Sequence, residues 1–235
     1  MADVAKYSTQ QVLELACAAQ RVNGSYVKTD SVVYSEGEDG KFVAMYTKHP
    51  NKTLMLVTLD PKFWTGNPVD QPYPLKITAE DTVQANLVSN HYKKLMFAAI
   101  DGTNEFLTSV NTILNSPDIG TNQFGYVACL PSLYFRDAMH TNVKRAAKVV
   151  DEGWLGEVGQ SLLDLDAEIL SVIRSKNYEG WNIDAKINNK LASWMAKTEL
   201  KVGPAVIIKA KIKDCSKHWK HDQPVTRLNY VKAAQ

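Results

Sequence analysis

The spacing of apolar residues changes from a helical period to a strand period after Gly159. Upstream, apolar residues recur every three or four positions, as they do at Val12, Leu15, Ala16 and Ala19. Downstream, apolar and acidic residues alternate from Leu163 to Ile169. A period of about 3.6 residues indicates amphipathic helices, and a period of 2 indicates a strand with one buried and one wet face. We therefore expect a helical first part and a β-rich last part.

The segment after Gly159 has room for five strands. The apolar phase shifts at Leu170, which predicts a bulge or bend in a long first strand. Further strands are expected over 180–187, over 190–196, after Gly203-Pro204, and over 225–232. In the fourth strand, two opposite faces are expected: Val206, Ile208, Ala210 and Ile212 on one, and Ile207, Lys209, Lys211 and Lys213 on the other. A long bent strand, a hairpin and two more strands in about 80 residues favour a five-stranded OB-type barrel.

The first part of the chain predicts helices around a small sheet. A helix is expected over 8–22, where Ser8 and Gln11 have the spacing of a capping box. Strands are expected over 25–34 and 41–47, with a third over 53–59. After a proline-containing loop, helices are expected over 78–100, 104–115 and 123–150, the last kinked or divided at Pro131.

The expected fold class is α+β, with the boundary at the glycines of 153–159. A mixed α/β N-terminal region, residues 1–152, precedes a C-terminal five-stranded OB-type β-barrel, residues 153–235. The long helices over 78–100 and 121–150 have enough apolar surface to pair with a second copy, so a homo-oligomer is an open expectation.

Charge is distributed unevenly along the chain. From Lys186 to Gln235 there are eleven Lys or Arg and three acidic residues, an excess of eight positive charges. The preceding residues contain sixteen basic and twenty-two acidic groups, an excess of six negative charges. A basic module on an acidic body suggests a polyanionic partner, although a solvated lysine-rich strand face has the same composition.

Aromatic residues are interspersed among these cations. Single-strand binding requires cationic groups for phosphates and flat rings on which bases stack. Alternation places Lys209, Lys211 and Lys213 about 6.5–7 Å apart on one strand face, near the spacing of successive phosphates on an extended strand. Trp219 lies in the polar loop segment 217–221 and is the most favourable stacking residue. The candidate nucleic-acid-binding residues are Lys209, Lys211, Lys213, Lys217, Trp219, Lys220, Arg227, Tyr230, Trp194 and Trp181. The alternative for each tryptophan is a place in the barrel core.

Catalytic and cofactor motifs are not evident. The three cysteines are widely spaced and without a CxxC pair, so we expect reduced thiols in a cytoplasm. His218 and His221, near Asp214, Cys215 and Asp222, do not have a recognised zinc-ligand spacing. The sequence has no phosphate-binding loop, nucleophile elbow or HExxH helix. We expect no enzyme activity, no cofactor, no metal and no membrane association.

Half of the chain resembles a family of phage-encoded proteins that are largely uncharacterised or bind nucleic acid. The similar elements are Gln123-Phe-Gly-Tyr-Val-Ala128, Leu133-Tyr-Phe-Arg-Asp137, Gly156-Glu-Val-Gly159, Val202-Gly203, Ile212-Lys-Asp-Cys215 and Thr226-Arg-Leu-Asn-Tyr-Val231. Cys215 stands where the family often has a histidine. The resemblance implies OB-like strands and a role in viral replication or recombination in a bacterial cytoplasm.

Two functions from different classes follow from these observations. The first is a non-enzymatic protein that binds single-stranded nucleic acid, with DNA favoured over RNA. The second is a virion or assembly protein that uses the barrel to dock another protein, because one barrel fold serves many ligands.

Overall fold

The computed structural model describes residues 5–36, 42–98, 104–175, 179–218 and 222–235. The chain forms two compact units that divide between Tyr134 and Phe135, inside a helix. The first unit is mainly helical with two small sheets, and the second is built around a closed five-stranded mixed β-barrel. The α+β fold class expected from the sequence is confirmed.

Four helices and two short sheets make up the first unit. The helices there are α1 (Thr9–Asn23), α2 (Asn51–Leu59), α3 (Ala79–Ala98) and α4 (Glu105–Asn115), followed by the start of α5 (Phe124–Ala147). The strands β1 (Lys6–Ser8) and β4 (Asp118–Gly120) pair with each other, and β2 (Ser31–Glu36) pairs with β3 (Phe42–Lys48). Short 3-10 turns occupy Pro61–Phe63, Pro68–Asp70 and Thr121–Gln123.

The core of the first unit forms around α1. Val12, Leu15, Ala16 and Ala19 are all buried, as their helical spacing predicts. Helix α1 ends where Gly24 adopts a left-handed conformation with φ of 70°, a common helix end for glycine. The Ser8 side chain makes no capping hydrogen bond, so the capping box expected there is not formed.

The third strand expected over 53–59 is wrong, because these residues belong to helix α2. Leu54 and Met55 belong to the apolar core of the first unit, and Val57 is also buried. Burial outweighs the strand preference of threonine and valine. The helix over 78–100 is confirmed as α3 over its described part. Its start has a reciprocal cap: the Thr78 backbone N–H donates to Asp81, and the Asp81 N–H donates to the Thr78 hydroxyl.

The second unit contains the last turns of α5 and the barrel. Helix α5 continues through Pro131, so the chain does not form two separate helices there. The barrel strands are β5 (Ser161–Arg174), β6 (Trp181–Ile187), β7 (Lys190–Ala196), β8 (Gly203–Lys217) and β9 (Pro224–Ala234). The five strands expected from the sequence are therefore present, with longer bounds at both ends of β8 and β9.

The strand order in the closed barrel is β5-β6-β7-β9-β8. All neighbours are antiparallel except β7 and β9, which are parallel. This arrangement of five strands is consistent with an OB-like fold. The register shifts between Ile169 and Ser171, which confirms the bulge expected at Leu170.

The barrel has an apolar interior, and the last turns of α5 pack against its strands. Inward residues of all five strands form the core, including Ile169, Ile183, Ala192, Ile207 and Leu228. A second, smaller cluster joins the last turns of α5 to the barrel and contains Val143, Ala146, Ala147, Leu170, Leu191 and Val225. Most outward side chains of β8 and β9 are exposed, so solvent or a ligand can contact them.

Candidate nucleic-acid interface

An irregularity in the middle of β8 determines which residues point outward. Ile207 is buried in the core, while Ile208 and Lys209 are both exposed, and the register with β9 shifts between Ile207 and Lys209. Ala210 and Ile212 then point inward again. The expected division of faces is thus wrong for Val206, Ile207 and Ile208, because two consecutive residues face outward at the bulge. It is confirmed for the exposed side chains of Lys209, Lys211 and Lys213.

Four exposed lysines lie on the outer side of β8 and β9. We call Lys209, Lys211, Lys213 and Lys232 the lysine face. Lys209 and Lys232 are direct cross-strand partners. Side chains directly opposite each other in an antiparallel pair share one face, and like charges there destabilise the pair by about 0.2–1 kcal/mol. A bound anion would relieve this repulsion.

The lysine face is not neutralised by nearby carboxylates. Among the described residues, none of the ion pairs within 4.0 Å involves one of these four lysines. Lys232 was not among the residues expected at the site. The sequence places it in the last strand, but only the register of β9 against β8 shows that it faces Lys209.

Tyr230 projects from β9 beside the lysine face. It lies between Asn229, which pairs with Lys211, and Lys232, which is separated from it by one residue. Its side chain is 77% exposed, and its backbone φ is 51°. The exposure expected of a stacking residue is therefore present at Tyr230.

Two other expected cations have acidic partners. Lys217 Nζ lies 3.0 Å from Asp222 Oδ1, and Arg227 Nη1 lies 4.0 Å from Asp214 Oδ2. Both pairs are exposed, and exposed pairs contribute only about 0–1 kcal/mol. An incoming phosphate can exchange for these carboxylates, but these cations provide less unpaired charge than the lysine face.

The two tryptophans on the described barrel strands lie in or against the core. Trp194 is 6% exposed and belongs to the barrel core, so the role expected for its ring is corrected. Trp181 is partly buried and packs against the same core. The inward phase of β6 and β7 explains both positions. Trp219 and Lys220, together with His221, lie outside the described residues.

The outer surface of β6 and β7 is less basic than that of β8 and β9. In OB-type barrels, oligonucleotides usually bind across strands two and three. Here the outward residues of those strands include Asn182, Asp184, Ser193 and Met195. Of the two cations on these strands, Lys186 lies 2.6 Å from Glu168, and Lys190 Nζ donates to the Trp154 carbonyl oxygen at 2.9 Å. Among the described strand residues, the exposed lysines without an acidic partner are thus on the fourth and fifth strands.

A partly buried carboxylate lies on the outward side of β6. Burial raises the pKa of Asp184 to about 6, and the nearby Ser171 hydroxyl opposes part of this effect. His218 Nε2 lies 3.9 Å from Asp184 Oδ1, and His218 is itself buried. Two backbone hydrogen bonds, from His218 N–H to Gln223 and from Asp222 N–H to His218, connect the ends of the loop between β8 and β9. These two hydrogen bonds join the described residues on either side of 219–221.

Other kinds of site have less support. Within the described ranges, no three His, Cys, Asp or Glu side chains are grouped so that they could hold a metal ion. Burial raises the pKa of the Cys215 thiol, and Asp214 raises it further, so this cysteine is not an activated nucleophile. No helix in the described part of the chain is long and apolar enough to cross a membrane.

Fold and surface together define an α+β protein with an OB-like closed barrel and an unpaired basic face on its last two strands. Comparisons of the chain with models of protein families, with characterised proteins and with solved structures give no significant match.

Proposed function

We propose that this chain binds single-stranded nucleic acid, with DNA favoured over RNA, through the lysine face of its barrel. The observation that supports this most is the direct pairing of Lys209 with Lys232, beside Lys211 and Lys213, without carboxylate partners among the described residues. Such like-charge pairs lower the stability of the folded chain. A polyanion bound to the lysine face offsets this loss. Arg227 and Lys217 extend the positive surface along the same two strands.

The mechanism is capture of phosphates by cations, without chemical change of the ligand. Each neutralised phosphate of a single strand contributes about −0.7 to the slope of log K against log salt concentration. Four lysines therefore predict a slope of about −3. The protein is proposed to act as a non-enzymatic accessory of phage replication or recombination in a bacterial cytoplasm, in line with the family it resembles.

Fluorescence anisotropy of a labelled single strand of about 30 nucleotides tests this function. The strand is titrated with the full chain at low and moderate salt, and a duplex of the same sequence serves as competitor. We expect binding that weakens with salt at a slope of about −3 and that the duplex displaces poorly. Absence of binding at low salt would overturn the proposal, and so would an affinity that does not change with salt.

A second function, protein docking in a virion or assembly, is favoured by apolar residues around the same face. Leu163, which pairs with Lys209 on the β5 side, is exposed, and so are Val206 and Ile208. Exposed apolar groups among cations also occur at protein interfaces. Charge reversal of the lysine face separates the two functions, because it abolishes nucleic-acid binding and leaves an apolar docking contact largely intact.

We also propose that like chains associate through the first unit. The β2–β3 hairpin exposes Val32, Tyr34, Val43, Met45 and Tyr46. Helix α3, one of the helices expected to pair, exposes Val83 and Leu87 one turn apart. Association would place two barrels on one strand and raise the overall affinity by an increase in effective concentration.

A further inference from the structure

Tyr230 has an unusual backbone conformation for its residue type. Five described residues other than glycine have positive φ: Asp164, Asn188, Asn189, Asp222 and Tyr230. Four of them are Asn or Asp, whose short polar side chains tolerate the left-handed region. Tyrosine has no such tolerance, and a bulky side chain at φ of 51° is a rare and strained arrangement.

The pairing of β9 with β8 explains why position 230 has a positive φ. It does not explain why the residue at that position is a tyrosine. The pairing of β9 with β8 passes from Lys232–Lys209 to Asn229–Lys211, so β9 has an additional residue there and forms a bulge. Glycine is the usual residue at a left-handed bulge position, because it adopts that conformation without strain. A side chain that is 77% exposed gains little from packing against the barrel. Folding alone would therefore favour glycine at position 230.

The surroundings of the ring indicate what it contacts. Lys232 lies two residues along β9, and Lys209 and Lys211 lie on the neighbouring strand opposite Lys232 and Asn229. An exposed aromatic ring with cations on adjacent positions matches a nucleotide, whose base stacks on the ring while its phosphates meet the ammonium groups. A polyanion without bases would use the lysines only.

We propose that Tyr230 is the stacking platform for an unpaired nucleobase, so that the lysine face recognises base and phosphate together rather than negative charge in general. This inference rests on the proposed function and specifies its ligand: a single strand with accessible bases. Bases held within a duplex stack on each other and do not offer a free face to the ring. Tyr230 is thus the residue by which the barrel selects single strands.

The test compares Tyr230→Gly and Tyr230→Phe in the full chain. The probes are a labelled 30-nucleotide strand and a strand of equal length made of abasic sites. Because one stacked base contributes about 1–3 kcal/mol, Tyr230→Gly is expected to weaken binding of the ordinary strand about fivefold to 150-fold. Binding of the abasic strand is expected to stay unchanged, and Tyr230→Phe is expected to bind both probes like the unmodified chain. Tyr73→Gly, which removes another exposed ring, is the matched control.

Thermal unfolding supplies a second readout. Tyr230→Gly relieves the strained φ, so its melting temperature is expected to equal or exceed that of the unmodified chain. A lower melting temperature would show that the ring stabilises the barrel and would overturn the inference. Equal binding of both probes by the unmodified chain and Tyr230→Gly would overturn it while the proposed function stands. If the unmodified chain binds neither probe, both proposals fail.

Discussion

At the scale of single residues, the most informative residues are those in an environment that is unfavourable for their residue type. Tyr230 occupies a backbone conformation suited to glycine, Lys209 faces Lys232, and Asp184 is a carboxylate largely removed from water. Each arrangement lowers the stability of the fold. Trp194 is in a favourable environment, because its aromatic side chain is buried in the apolar core of the barrel. Composition alone could not separate Trp194 from Tyr230, because both are aromatic residues in strands near lysines.

Asp184 predicts a pH dependence of stability. Its pKa in the folded chain, about 6, lies above the ordinary value of 3.8. The folded state therefore holds more protons than the unfolded state between these values, and stability falls as pH rises from about 4 to about 6. Asp184→Asn is expected to remove this fall and to raise the free energy of unfolding at pH 7.5 by about 1–3 kcal/mol.

Urea unfolding of the two chains from pH 4 to 8 measures this effect. His218 Nε2 lies 3.9 Å from Asp184 Oδ1, so the same series with His218→Gln separates the two side chains. Asp222→Asn, which changes an exposed carboxylate, is the control. A pH profile of Asp184→Asn that coincides with that of the unmodified chain would contradict the account.

At the scale of elements, hydrophobic period predicts the strands and most helices, but not every irregularity. The bulge at Leu170 is visible in the sequence because the apolar phase changes there from Ile169 to Val172. The bulge at Ile208 is not, since isoleucines occur on both sides of it and only closure of the barrel decides which is inward. Helix α2 was missed because Thr53 and Val57 prefer strands, and contact with α1 outweighs that preference.

The β2–β3 hairpin predicts self-association. It is a two-stranded sheet with no third strand among the described residues, and such hairpins are only marginally stable in water. Its five exposed apolar side chains leave roughly 500 Å² available, but the register places Val32 and Tyr34 on one face and Val43 and Tyr46 on the other. Covering one of these faces with the same hairpin of a second copy would bury apolar area on both chains.

Sedimentation velocity over a range of protein concentrations tests the association. We expect the sedimentation coefficient to rise with concentration for the unmodified chain and to stay at the monomer value for Tyr34→Lys with Met45→Lys. Tyr73→Lys, at an exposed position outside the hairpin, is expected to behave like the unmodified chain. A monomer at every concentration would contradict the role of the hairpin.

At the scale of the whole molecule, the basic barrel and acidic body predicted from charge remain the basis of the functional account. The sequence predicted the lysines of β8, but not Lys232 as their partner, because register is a property of two strands together. It also placed Trp181 and Trp194 at the interface, whereas the inward phase of β6 and β7 places them in or against the core. The net charge of the chain is near zero, so the indication of a polyanionic partner comes only from the uneven distribution of charge along the sequence.

The most direct test of the central claim is binding of the 30-nucleotide strand by the variant Lys209→Glu, Lys211→Glu, Lys232→Glu. The matched control, Lys62→Glu, Lys76→Glu, Lys94→Glu, makes the same change in net charge at three exposed lysines of the first unit. We expect the first variant to lose at least a hundredfold in affinity at low salt and the control to lose less than threefold, because local cations neutralise the phosphates. Equal losses in the two variants would show that net charge alone attracts the strand, and would contradict a binding site on β8 and β9.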